Sequence, residues 1–307
     1  LNHNFSRRGF LQSAGASLGV TLLDRTTSAS DDLEAIFAEI RANLLEMVNE
    51  EREVAKLNPL LVDELATQVA AKHAQEMAVD DFASHWGSDG RKPYHRYSFA
   101  GGTQATQENV SAADNTWSMK ASDLKQDAAY LHVRLYQEKP PYDGHRRAIL
   151  APQHTHVGFG IAVKNLRLRL VELFVAKYLQ VEPMPRKAKP GERLTFTAKM
   201  PKEGFYLNTV EVFYEPLPAT PQMSWLRQPR SYGLPDESRV LRPKAPPPYV
   251  YADRQPGVVE IALDGKFTAP IKLFKNEPGI YTIVTWLTRN SGSQKPFPAT
   301  EVCIEAL

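Results

Sequence analysis

A single cysteine, Cys303, stands among 307 residues, which excludes an intramolecular disulfide and any cysteine-built zinc or iron–sulfur centre. No apolar run reaches the roughly 20 residues of a membrane-spanning helix. The longest candidate lies near the N-terminus and is interrupted by polar residues. Charge of one sign is missing as well: 37 Lys plus Arg oppose 35 Asp plus Glu, and a formal net charge of +2 leaves no extended basic field for phosphate backbones. Nucleic acid is therefore not an expected partner. What is there is 42% hydrophobic residues over a length that suits one or two domains, so stability must come from packing.

Proline is scarce in one half and abundant in the other. Residues 30–180 hold Pro59, Pro93, Pro140, Pro141 and Pro152, while the other prolines lie between Pro183 and Pro298. Proline breaks helices and is confined in sheets to edges and turns. The first half can therefore be helical and the second mostly cannot. The Pro-rich, charged stretch 181–191 reads as a semi-rigid linker, dividing a domain at 30–180 from one at 192–307.

In the first half, Leu33, Ile36, Phe37, Ile40, Leu44, Met47 and Val48 recur at steps of three and four. This is an amphipathic helix with Asp31 and Asp32 at its favourable end. Asp63 is placed to cap a second helix whose stripe is Leu65, Ala66, Val69, Ala70, His73, Ala74 and Met77. His73 is expected as a core-edge residue with a hydrogen-bonded ring. The period changes to two at Val157, Phe159, Ile161 and Val163, then Lys164-Asn165 forms a turn into Leu168, Leu170, Leu173 and Val175. That pattern is a β-hairpin. In the second half, short alternating runs at 194–198, 210–214, 259–263, 271–273, 280–287 and 302–304 suit a small β-sandwich. The Pro-rich segment 215–256 is too irregular for strands, and reads as a binding appendage or a mobile insertion.

Arg7-Arg8 followed by Phe10-Leu11 and an apolar stretch from Ala14 to Leu23 resembles a twin-arginine export signal, with small residues Thr27-Ser28-Ala29 at a cleavage position. The expectation is a signal at 1–29, no transmembrane anchor in the mature chain, and a periplasmic or extracellular destination.

Three stretches matter jointly: Ala83-Ser84-His85-Trp86, Gln107-Glu108-Asn109-Val110, and Asp143-Gly144-His145-Arg146-Arg147 leading to Thr155-His156-Val157-Gly158-Phe159-Gly160. Val48-Asn49 with Arg52, and Asn58-Pro59-Leu60, support them. In this order they resemble the CAP superfamily, also called SCP domains: the cysteine-rich secretory, antigen 5 and pathogenesis-related proteins. The resemblance spans about residues 40–180. It implies an α-β-α sandwich, so the chain is expected to be α+β, with the all-β, immunoglobulin-like sandwich read from the second half following it. It also implies a cleft with two histidines and two acids, sometimes with a divalent metal on the histidines. Carried over, His85 and His145 match the histidines and Glu108 the first acid. The second acid has no secure match, and Glu138, seven residues before His145, is the candidate.

Two imidazoles and a carboxylate could hold zinc with a water in the fourth position, though a third ligand is uncertain. Without metal, Glu108 can orient one histidine through a hydrogen bond. No serine or cysteine sits in a nucleophile setting, and Cys303 is expected in the core. Glu108 and Asn109 have a structural alternative, holding the loop after Gly101-Gly102. Arg146 is expected to pair with a local carboxylate, and His154 and His156 to face solvent. His95 and His132 have no patterned partner.

Two functions compete. In the first, the protein is an exported binding module whose His85/Glu108/His145 cleft takes a small apolar or peptide-like ligand or an envelope partner, as lipid and sterol binding recur in the family. In the second, it is a metal-dependent hydrolase using the same cleft. Residues 30–180 carry 17 basic and 21 acidic side chains and residues 181–307 carry 17 and 13. These opposite net charges suggest domains docked by a contact that salt loosens.

Overall fold

A computed structural model describes the backbone of residues 17–307 other than 115, 117, 119, 202 and 290–294, and side chains from residue 32 onward. The Arg7-Arg8 motif lies outside the described residues. The first helix, α1, spans Ser17–Val54. It begins well before the expected Leu33, since no proline occurs from Ser17 to Val54 to stop it, and it runs through the presumed cleavage position at Ala29.

The N-terminal domain is a three-layer α+β arrangement. Its sheet is formed by β1 (Leu61–Val62), β2 (Ala105–Ala113), β3 (His156–Lys164) and β4 (Arg167–Ala176), in the order β1-β3-β4-β2. The hairpin β3–β4 turns at Lys164–Arg167, with Asn165 and Leu166 at positive φ. The period of two sorts β4 between the layers. Leu168, Leu170 and Phe174 pack with Ile40, Leu44 and Val48 of α1 and with Leu124 and Leu131 of α4 (Ala121–Tyr136). Val171, Leu173 and Val175 pack with Ala66, Ala70, Ala74 and Met77 of α2 (Glu64–Asp80). Asp63 caps α2, accepting the Ala66 N–H at 2.6 Å.

Gly158 and Gly160 explain why α2 lies so near the sheet. A Cβ at Gly158 would fall 2.2 Å from Thr67 N, and one at Gly160 2.1 Å from Ala70 O. The small residues of helix and strand allow backbone to approach backbone.

The C-terminal region is all-β. One sheet has the order β10-β11-β7-β5, from Glu260–Ile261, Lys266–Lys272, Arg193–Lys199 and Gln180–Val181. The other has the order β6-β14-β12-β8-β9, from Lys187–Ala188, Val302–Ala306, Gly279–Arg289, Phe205–Glu215 and Ser238–Leu241. Phe196, Phe267, Ile271, Tyr281, Ile283 and Ile304 fill the space between them. The stretch 181–191 is not a free linker: β5 pairs with β7 and β6 pairs with β14. Backbone pairing there outweighs what its prolines and charges suggest.

The two regions are joined closely. Gln104 bridges Thr300, Ala105 N–H donates to Ala299 O (3.2 Å), and Glu301 N–H donates to Thr103 O (3.2 Å). Tyr94 of α3 (Pro93–Phe99) is buried with Ile280 and Cys303, and Cys303 N–H donates to Ser98 Oγ at 2.7 Å. The expected charge-driven docking is corrected by the pairs themselves. Lys92–Glu215 (2.7 Å) and Arg91–Glu305 (3.4 Å) set cations of the acidic domain on acids of the basic region. Among the described residues Arg227–Asp81 alone follows the net charges. Backbone hydrogen bonds and buried apolar contact hold the interface.

The Pro-rich segment 215–256 is not without strands: β9 lies in it and pairs with β8, because its prolines flank Ser238–Leu241 and leave that stretch free to pair, while its earlier part is built onto the N-terminal domain. Its short helix α6 (Met223–Leu226) buries Leu226 against the α2 cluster, and Trp225 meets Trp86 edge-on at 5.1 Å. Residues 229–234 then cross the face where the sequence motifs converge.

Candidate functional site

His85 lies in the segment after α2. His73, buried on α2, fixes that segment by donating from Nε2 to Ser84 O (2.8 Å), while its Nδ1 lies 3.1 Å from Glu76. Arg96 of α3 donates to the His85 carbonyl at 2.8 Å. The His85 ring donates from Nδ1 to Glu108 Oε1 (3.0 Å), and Arg96 Nη2 holds Glu108 Oε2 at 2.6 Å. Burial alone would raise the Glu108 carboxyl. Arg96 and the His85 hydrogen bond hold it down at about 2.

The second pair is built the same way. His145 opens α5 (Gly144–Ile149), and Glu138 lies on the turn after α4. Glu138 Oε1 accepts His145 Nδ1–H at 2.6 Å, and Oε2 accepts the His145 backbone N–H at 3.0 Å. The His85 and His145 rings stand 6.2 Å apart between centroids, tilted by 33°. His85, Glu108 and His145 of the motifs and Glu138, the candidate second acid, therefore meet as two carboxylate–imidazole pairs facing each other.

Glu108 and Asn109 alternate along β2, so they serve opposite faces. Asn109 Nδ2 donates to His145 O (3.2 Å) and to Glu172 Oε2 (3.0 Å). Its role is to tie α5 to the sheet, rather than to hold the loop after Gly102. Glu172 in turn accepts from His132 Nδ1 (2.6 Å), whose Nε2 reaches Glu51 (3.1 Å). Burial would lower the His132 pKa, but Glu172 and Glu51 raise it to about 10. Beneath the cleft, therefore, an imidazolium lies between two carboxylates.

Several expectations are corrected. Arg146 does not pair with a carboxylate: Nη1 donates to Tyr136 O (2.6 Å), with the guanidinium 4.1 Å from the Tyr136 ring centroid. The local ion pair belongs to Arg147 and Asp143 (3.2 Å). His154 does not face solvent. It is buried, stacked on Phe174 at 5.3 Å and bonded to Ala148 O, and burial pushes its pKa down to about 4. His156 is half-buried. His95 gains a partner in Glu215 of the second region (3.1 Å). Cys303 is buried and its thiol is pushed up to about 12, so it is no nucleophile.

Tyr232 and Glu301 carry no recognisable motif, and both enter the cleft from the C-terminal region. The Tyr232 ring lies 4.8 Å from that of His85, and its hydroxyl accepts the Glu108 backbone N–H at 2.8 Å. A cavity of about 660 Å³ opens beside them, lined by both imidazole–carboxylate pairs, Tyr232 and Glu301. A second hollow of about 350 Å³ shares His85, His145, Pro229 and Ser231 with it, so the two flank one strap.

The family resemblance raises a divalent metal. Among the described residues no group of three or more His, Cys, Asp or Glu side chains is placed to hold one. Both Nδ1 atoms are engaged by carboxylates, which leaves two Nε2 donors, short of the three protein ligands of a catalytic zinc. The residues present do not fit such a centre.

No curated protein matches the chain. Among solved structures it is similar to an extracellular protein containing an SCP domain from Bacillus anthracis (20% identity, 46% of this chain and 41% of that one, TM-score 0.35). It is also similar to an outer surface protein from Borrelia burgdorferi (18%, 44% and 90%, 0.35) and to the CAP domain of enterococcal PrgA (13%, 45% and 61%, 0.33). The chain thus spans less than two thirds of the first and third. Residues 45–178 match the family described as CAP, the cysteine-rich secretory protein family. Residues 45–178 of this chain are a CAP domain.

Proposed function

We propose that the protein is an exported binding module whose CAP cleft takes a peptide-like ligand. One observation carries this reading: a segment of the chain itself, Pro229–Leu234, lies across the cleft, with Tyr232 against His85 and its hydroxyl on the edge-strand amide of Glu108. In the strap a side-chain hydroxyl takes that edge-strand N–H, the position a main-chain carbonyl of an extended peptide takes in strand addition. The strap is then an internal stand-in that an incoming peptide displaces.

A hydrolase reading needs a nucleophile or a third metal ligand. Both carboxylates nearest the histidines are already spent on ring nitrogens, an arrangement that orients imidazoles for hydrogen bonding. Export by the twin-arginine route, with a partner in the cell envelope, is supported by the Arg7-Arg8 motif.

The test replaces residues 228–234 by a Gly-Ser spacer of equal length and adds the synthetic peptide of residues 227–236 in trans. The expected result is saturable binding to the spacer variant, weakened at least tenfold by His85→Ala, and binding to the unaltered chain only at far higher peptide concentration, where the tethered strap must first be displaced. Absence of binding to a folded spacer variant would overturn the reading.

A further inference from the structure

Four carboxylates are buried among the described residues: Asp63, Glu108, Glu172 and Glu301. Three have a cationic or imidazole partner: Lys177 for Asp63 (2.5 Å), Arg96 for Glu108 (2.6 Å) and His132 for Glu172 (2.6 Å). Glu301, only 6% exposed, has none. Its Oε2 accepts the Thr106 N–H (2.8 Å) and hydroxyl (3.0 Å). Its Oε1 has no hydrogen-bond partner among the described residues, and the residue lines the 660 Å³ cavity.

A buried charge goes unpaired only at high cost, and this chain pairs its other buried acids. The cations nearest the cavity are committed elsewhere: Arg147 to Asp143, Arg96 to Glu108, Arg227 to Asp81, and Arg230 to the Trp225 ring at 4.6 Å. Besides Tyr232 the strap brings Pro229, Ser231, Gly233 and Leu234 to the cavity wall, none of them a cation.

We infer that Glu301 forms a cation subsite in the cleft, taking an alkyl-guanidinium or alkyl-ammonium group of the ligand. The C-terminal region supplies this group, so the site is a composite of both regions. Thr106 and Glu108 are two residues apart on β2, about 7 Å along the strand. Glu301, anchored on Thr106, thus lies one strand repeat from Tyr232, anchored on Glu108, within reach of one bound segment. Deprived of a cation, the carboxyl is pushed up by burial to about 8. The titratable groups around it, Tyr94, Tyr232 and Cys303, are themselves raised by burial and stay neutral near pH 8. Arg186 faces Cys303 but donates to Ser98 and Gly102. Binding a cation at pH 7 therefore releases a proton.

The subsite stands on Glu301 alone; that its cation belongs to a peptide rests on the reading above. Calorimetric titration of the full chain with methylguanidinium and n-butylammonium, at pH 6.5 and 8.5, tests the first. Expected is saturable binding that tightens roughly twentyfold over this range as a carboxyl of pKa about 8 ionises. Glu301→Gln, which keeps an oxygen for Thr106, should abolish both the binding and the pH dependence. His85, His145, Glu108 and Glu138 are common to both proteins, so the difference belongs to Glu301. Equal binding to a folded Glu301→Gln variant, no binding to either protein, or affinity that falls with pH would overturn the subsite. N-acetyl-arginine amide against N-acetyl-citrulline amide tests the source. Tighter binding of the arginine compound than of methylguanidinium supports a peptide cation. Equal binding of the two cations leaves the subsite standing and contradicts the peptide.

Discussion

The hydroxyl of Tyr232 accepts the backbone N–H of Glu108 at 2.8 Å, so a residue of the C-terminal region completes the hydrogen bonding of an edge strand in the CAP domain. The same Glu108 holds His85 and Arg96 with its side chain. The strap, the strand edge and the first imidazole pair are thereby one unit.

Tyr232→Phe leaves the buried Glu108 N–H without its acceptor, a cost of about 1–3 kcal/mol. Denaturant unfolding should show that loss, and hydrogen exchange at the Glu108 amide should quicken. An unchanged exchange rate would mean the strap does not cover the strand in solution.

Stability should fall steeply in acid. Glu76, Glu108 and Glu215 are each held at about 2 in the fold. Each contributes stability that is whole above its unfolded value near 4.5 and is lost as pH falls toward 2. For Glu108 this amounts to about 3 kcal/mol. His154, pushed down to about 4, adds a loss that begins near pH 6.5. Unfolding free energies from pH 7 to 2 should show this limb, shallower by roughly one proton in Glu108→Gln.

The alkaline side has a different cause. His132, raised to about 10 between Glu172 and Glu51, contributes stability that is whole below pH 6.5 and is lost as pH rises through 10. His132→Gln should flatten this limb and, through Glu172 and Asn109, loosen α5. A selective shift of the His145 ring resonances in NMR would report that loosening.

The interface should resist salt. Deleting residues 181–307 uncovers Tyr94, the 103–106 edge and the apolar surface under α6, and the isolated CAP domain should be less stable and prone to self-association. Scattering curves of the full chain should superimpose between 0.05 and 1 M salt, because screening weakens exposed ion pairs and leaves buried hydrogen bonds largely intact. An expansion with salt would restore charge-driven docking.

Much of the CAP domain is legible from periodicity: the α2 stripe, the Asp63 cap and the β3–β4 hairpin are local patterns. Local signals also place His85, Glu108 and His145, because each lies in a recognisable short motif. Glu138 is legible only as a candidate, since its role depends on a turn that returns it to His145. Tyr232 and Glu301 are not legible, because they reach the cleft through long-range packing of a proline-rich segment and of a strand edge. His154 and Arg146 mislead for the same reason. Their partners are a backbone carbonyl and aromatic rings, which leave no charge pattern to read.

The most direct test places 3-fluorotyrosine at Tyr232 and follows its fluorine resonance as the peptide of residues 227–236 is added to the full chain at millimolar concentration. The account predicts a saturable shift from a half-buried to a solvent-exposed position as the strap leaves the cleft, with His85→Ala altering the starting resonance. Peptide binding with the Tyr232 resonance unmoved would contradict it, since the ligand would then occupy some other surface.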